Sequence, residues 1–400
     1  MNTQSESTTA SAPRAHTAGD HVGAAAGQAA RAPAWHTAGG DHTRRGCFGR
    51  AVRLKPPPSR KLRAWGAVQA AVVFDERDTA FVVDMAGGLQ AFAANGECLW
   101  KMALGGVSAT PVAVPGSHRL FGATLGGDLR CVDTSDGGFL WRRSIPTKSD
   151  PRILSDLLYV PQANVVVLSS WGGRFCALDA ASGEEEFAWD AGVFPCSAAA
   201  ADNEGRVYCV RAVEGKGVEL LQVTIGGEAT VLHRQPEEKR GARRTVVAAA
   251  PVLDPERRRL YAVMNGDRQG RLVAWSQATY SLAWEHVFEH CIQATPAVAP
   301  DGTIVVAELG GFVHALRPDG SVRYRYPGGC DYWLAAPVVD GAGTVFIGDP
   351  VGRLHVIDPQ GSGQRPFEAP RSIQARGSFD STGRFYLPCT DGWVYVFEGD

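Results

Sequence analysis

The side chains able to do chemistry in this chain fall at recurring places in a repeated pattern. Asp156 and Arg376 stand where other repeats carry Thr or Ala, as in Gln293-Ala294-Thr295-Pro296. Gln69, Gln293 and Gln374 occupy another equivalent position. The segments that lead into the repeats add Arg243, Arg244, His290, Asp331, Tyr332, Trp333 and Arg371. Asp84, Asn265, Glu308, Asp349 and Asp391 follow the second strand-like run of their repeats. A guanidinium offers a planar fork to a carboxylate or phosphate. Arg376 and Arg244 are therefore candidates for gripping an anionic group, with Gln69, Gln293, Gln374, Tyr332 and Trp333 as further ligand contacts. Asp156, His290 and Asp331 are the candidates for acid or base work. The same residues have a plainer use, as the satisfied polar walls of a hydrated channel in which Asp156 and Arg376 offset each other's burial. Glu308, Asp349 and Asp391 are hard-ion ligand types, but nothing in the sequence makes them converge. His36, Asp41 and His42 match no zinc spacing. No residue is assigned to a metal.

The elements that position these residues are short strands. In residues 291–327, a small-residue run ends at Pro300-Asp301-Gly302, and Thr303 to Ala307 follows. Gly310-Gly311 then turns the chain into Phe312 to Leu316, and Asp319-Gly320 turns it into Val322 to Tyr326. Such spacing means an up-and-down antiparallel sheet of four strands. The unit recurs from Val68 onward, with Gly87-Gly88, Gly126-Gly127 and Gly172-Gly173 as matching turns and Trp100, Trp141, Trp189 and Trp284 in the last strands. Those tryptophans are expected to pack between successive units. The fourth unit, Phe194 to His233, is degenerate, and a basic stretch, Arg234 to Arg244, follows it.

The last unit has three strands, ending with Trp393 to Phe397. Lys61-Leu62-Arg63-Ala64-Trp65 resembles the missing fourth. A ring that consumes both loose strands leaves no edge. The expectation is an all-β, eight-bladed propeller of four-stranded blades, the last closed by an N-terminal strand. Residues 1–34 are expected to be a disordered tail, 35–60 a lead-in and Pro-rich linker that docks through Trp35 and Phe48, and 61–400 one propeller domain. In such a ring the first strand of each blade lines the axis. The loops before first strands and after second strands share one face, which is where a site at the axis draws its residues.

Cys131-Val132-Asp133 through Trp141, and Ala177-Leu178-Asp179-Ala180-Ala181-Ser182-Gly183 through Trp189, resemble the repeat of the pyrroloquinoline-quinone (PQQ)-like propellers. Ser108 to Pro111 and Gln293 to Pro296 are similar to that family's first strands. The resemblance implies the propeller fold and either of two roles, quinoprotein dehydrogenase or non-catalytic scaffold. The dehydrogenases carry a vicinal Cys-Cys pair, which this chain lacks, so PQQ is not expected and no other cofactor is assigned. A net charge of −2 gives no field to gather nucleic acid or anionic membrane. No run of about 18 apolar residues predicts a membrane span. Nine cysteines without a CxxC, and a polar N-terminus, point to a reducing, cytoplasmic setting. The expected function is a monomeric binding or protein-interaction module for another protein or a small anionic ligand, its specificity on the axial face loops. The alternative is an enzyme, an oxidoreductase or a lyase/cyclase, with a small-molecule site at the axis.

Overall fold

A computed structural model describes residues 35–190, 196–213, 216–236, 249–266 and 268–400. Arg243, Arg244 and the expected tail over residues 1–34 lie outside the described residues. The described strands form eight four-stranded antiparallel sheets. Alternating apolar runs such as Val165–Ser169, buried throughout, make the middle strands. Gly-bearing turns connect them. Hydrophobic clusters join neighbouring blades: Val112, Phe121 and Cys131 of blade two pack with Val166, Cys176 and Leu178 of blade three.

Seven blades run from inner to outer strand in chain order. The eighth does not. Its order is Leu54–Arg63, Trp393–Gly399, Phe385–Pro388, Ser378–Phe379. The N-terminal strand pairs antiparallel with the last strand, Leu54 opposite Gly399 and Arg63 opposite Trp393. The ring is therefore closed by the expected segment, although the strand begins seven residues earlier than Lys61 and stops before Trp65. The expected linker is partly strand. An outermost strand is paired on one side only, so Pro56, Pro57 and Pro58 are tolerated there without N–H groups. A shift of register between Lys55 and Arg60 spans them. Trp65 lies past the strand, half exposed, and gives its backbone N–H to Asp84.

The outer aromatics pack between blades as the repeat predicts, with one exchange. Trp100, Trp141 and Trp284 lie opposite Ala91, Cys131 and Ala274. Each indole covers a turn glycine of the next blade: Gly137, Gly183 and Gly320. Trp100 and Trp284 also donate their ring N–H to carbonyls of that blade, Thr134 at 2.9 Å and Pro318 at 2.8 Å. In blade three this place belongs to Phe187, which lies opposite Ala177 and covers Gly227. Trp189 is two residues on, stacked on Phe175 beneath the guanidinium of Arg211. The two aromatics share a strand face, so spacing from the glycine turn alone does not separate them.

Candidate functional site

The inner strand of every blade presents a free edge to the axis, and its N–H groups need acceptors. Residues 35–48 supply them. Trp35 O accepts from Phe74 of blade one at 2.9 Å, and His36 O from Ala113 of blade two at 2.9 Å. Thr37 Oγ1 donates to Leu157 O of blade three at 2.8 Å. His42, Thr43, Arg45 and Gly46 carbonyls then accept from Ala201, Leu253, Val298 and Val339 of blades four to seven, at 2.8–2.9 Å. The lead-in thus circles the axis, meeting the blades in order. Its two ends clamp blade eight: Trp35 meets Phe379 edge-on at 5.8 Å, and Phe48 stacks on the same ring at 4.8 Å. Trp35 and Phe48 dock the segment as expected, both buried. The circling path was not visible in the sequence.

Inside this loop sits Arg44, a residue that sequence reasoning missed. It is fully buried and donates to four carbonyls, those of Ala199, Ala38, Asp156 and Leu157, at 2.5–3.2 Å. Gly39, Gly40 and Gly46 were the available signal, since they mark a backbone under close constraint. Gly39 has φ +82°, and a Cβ there would collide with Nη1 of Arg376.

Asp156 and Arg376 do share the axis, as their common register position requires. Asp156 Oδ1 accepts the N–H of Thr110 at 2.8 Å. Thr110 Oγ1 accepts from Ala71, and Thr295 Oγ1 from Ala250, in the same way. At this position a side chain latches the preceding blade, and Asp156 is one such latch. Arg376 Nη2 donates to Thr295 O at 2.9 Å, while its buried Nε has no partner. No ion pair joins Arg376 to Asp156. Burial pushes the Arg376 guanidinium down to about 10; the charge of Asp156 opposes this and that of Arg44 adds to it.

The other expected residues disperse. Gln69 Nε2 bonds Gln374 Oε1 at 3.0 Å across blades one and eight. Gln293 is half-buried on blade six. Trp333 is wholly buried against His355, with ring centres 5.1 Å apart, and so belongs to the core. Asp331, Tyr332 and Arg371 are exposed on loops before blades seven and eight. His290 is exposed before blade six, 3.9 Å from the buried Glu308. Asp84, Asp349 and Asp391 accept backbone N–H groups of their own turns. Asn265 bonds the backbone of Ile292.

The lead-in also walls a cavity of about 360 Å³ on its own face, lined by Trp35, His36, Asp41, Arg45, Cys47 and Phe48 with Glu256 and Pro300. Arg45 pairs with Glu256 at its rim, 2.9 Å apart. Burial lowers the pKa of His36, against the carbonyl of Phe74, which raises it.

The ring of four-stranded blades and the repeat that builds it can be compared with known proteins. The family model of the outer membrane protein assembly factor BamB matches residues 85–326. This chain belongs to that family. The crystal structure of BamB from Moraxella catarrhalis is similar over 86% of this chain and 98% of that one, with a TM-score of 0.68 and 18% identity. The computationally designed Ika8 protein (TM-score 0.64, 13% identity, 86% of this chain and 99% of that one) and the Dos1 propeller (0.64, 11%, 86% and 95%) share the fold. A comparison with curated proteins finds no match. In this BamB-family propeller, the face away from the lead-in carries the turns after second strands and the loops before first strands. Met85, Leu125, Trp171, Leu309 and Val351 stand on those turns, with Trp65 and Tyr332 on the adjoining loops.

Proposed function

We propose that this chain is a non-catalytic module that binds another protein on the face away from its lead-in. One observation carries the reading: large apolar side chains stay exposed on that face. Val351 is 54% exposed, Trp65 45%, Tyr332 41% and Met85 37%. They come from the sector of blades six, seven, eight and one. Met85 and Leu125 adjoin through Gly106, whose Cβ would stand 3.1 Å from Met85 O and 3.4 Å from Leu125 Cδ1. Apolar side chains left exposed on the turns of one face mark a protein contact surface. The role in the family's description, assembly of outer membrane proteins, is one carried by protein contacts, which supports a protein partner. Asp156, Thr110, Thr295 and Arg44 at the axis are bonded to backbone around them, as structural groups would be.

The test is site-specific photo-crosslinking in cells, with the crosslinker at Met85 or, as a control, at Leu99 on the outer rim. A discrete protein adduct is expected at Met85 and not at Leu99, and Val351→Glu should remove it while Tm stays within about 2 °C. Equal adducts at both positions, or an adduct indifferent to Val351→Glu, would overturn the assignment of the face.

A further inference from the structure

Blades six and seven carry an acid and a histidine in the same places and treat them differently. In blade seven, Asp349 follows the second strand, Val345–Gly348, and His355 lies in the third, Arg353–Ile357. Asp349 Oδ1 accepts the N–H groups of Val351, Gly352 and Arg353. Its Oδ2 takes Arg353 Nε at 2.5 Å and lies 3.0 Å from His355 Nε2. The Tyr326 hydroxyl lies 3.0 Å from His355 Nδ1. Both carboxylate oxygens and both ring nitrogens are partnered.

In blade six the corresponding residues are Glu308, after Ile304–Ala307, and His314, in Phe312–Leu316. Glu is one methylene longer than Asp, and its carboxylate does not cap the turn. Phe312 stands where blade seven has Arg353. Phe288 meets His314 edge-on at 5.1 Å, and His286 stands at the register position that Tyr326 holds beside blade seven. Glu308 is wholly buried, and neither carboxylate oxygen makes a well-aligned hydrogen bond; burial raises its pKa, and His314, with Nε2 3.2 Å away, and the backbone of His290 bring it below the usual value. Its nearest partners are His314 at 3.2 Å, Arg325 at 3.5 Å and His290 at 3.9 Å, and a buried carboxylate held by such long contacts is an expensive arrangement that a closer cation relieves.

The preceding loop brings further donors to this carboxylate. Ligand atoms of Glu289, His290 and Glu308 all lie within 4.8 Å of one another. Glu289 and His290 are exposed, and Glu308 lies buried behind them. Two carboxylates with imidazole nitrogen form a donor set suited to zinc and similar divalent transition ions. Arg325 is the competing cation, 3.2 Å from Glu289 and 3.5 Å from Glu308, with its guanidinium resting on the Phe312 ring. An ion entering between the carboxylates leaves it that aromatic face.

We propose that Glu289, His290 and Glu308, backed by His314, form a site for a divalent transition metal of the zinc type, tying the loop before blade six to that blade's central turn. The experiment uses the full chain, treated with chelator and dialysed, then titrated with zinc while bound metal and Tm are measured. One zinc per chain and a rise in Tm are expected. His290→Ala and, separately, Glu289→Gln should weaken zinc binding at least tenfold. Both side chains are exposed, so their metal-free Tm should match the parent within about 2 °C. No stoichiometric zinc, or zinc held equally well by His290→Ala, would overturn the proposal.

Discussion

Two buried arginines share the axis, Arg44 with four carbonyl partners and Arg376 with its Nε unpartnered. Arg44→Met keeps the side-chain length and removes four donors. The carbonyls of Ala199, Ala38 and Asp156 lose a partner, whereas Leu157 O keeps Thr37. Buried groups left without partners cost about 1–3 kcal/mol each, and relief of the buried charge returns part of that. A net loss on the order of 3 kcal/mol follows. At roughly 1.3 °C per kcal/mol for a protein of this size, Tm should fall by about 4 °C. Arg376→Met should behave otherwise. Burial pushes both guanidiniums down, Arg376 to about 10, so each is kept charged at a cost, and Arg376 has fewer hydrogen bonds to offset it. Its clearest return is the bond to Thr295, worth about 1.5–3 kcal/mol. Removing it should leave Tm within about 2 °C or raise it. Thermal melts and urea titrations of both variants give the comparison. If Arg376→Met loses as much as Arg44→Met, the assignment of Arg44 as the anchor and Arg376 as the burden is wrong.

Two further outcomes can be checked with the same assays. Leu62 is buried in the N-terminal strand and abuts Gly96 of blade one. Leu62→Ala should therefore cost about 2–5 kcal/mol although it lies outside the C-terminal repeats; a silent variant would mean that the ring does not depend on this closure. His36 is partly buried with its pKa lowered, so between the folded value and 6.5 the unfolded chain binds more protons. Its contribution is present above pH 6.5 and lost as pH falls toward the folded value, and His36→Asn should flatten the fall in stability between pH 7 and 5. An unchanged slope would refute the linkage.

The ring itself was legible because its signals are local. A glycine turn at each hairpin and an aromatic in each outer strand need only the residues beside them, and the unmatched Lys61 to Trp65 betrayed the closing strand. The boundaries of that strand were not legible, because prolines read as linker in a sequence but are acceptable on an edge that needs no donors. At the axis, register gave the places of Asp156 and Arg376 and not their partners. Asp156 faces the N–H of Thr110, a group every non-proline residue has. The circling lead-in was illegible for the same reason: Trp35, His36, His42, Thr43, Arg45 and Gly46 engage the blades through carbonyls, and side-chain identity carries no trace of which carbonyl meets which strand.

That path also bears on where a partner can bind. One N-terminal segment makes two closures. Residues 35–48 bond the inner strands of blades one to seven, taking a backbone N–H from each but blade three, and hold Phe379 of blade eight through Trp35 and Phe48. The chain then passes the turn after the inner strand of blade seven, where Val52 donates its N–H to Asp340, and reaches the outer rim, where Leu54–Arg63 completes blade eight. Inner edge strands are otherwise the natural template for an added strand. With the second N–H position of each inner strand from blade one to blade seven, except blade three, already taken by the lead-in, a partner gains little there by backbone pairing. What the far face offers is side chains, Trp65, Met85, Tyr332 and Val351 among them. Recognition on that face therefore rests on apolar contact and shape, and single charged substitutions there should be more damaging to binding than any change at the axis.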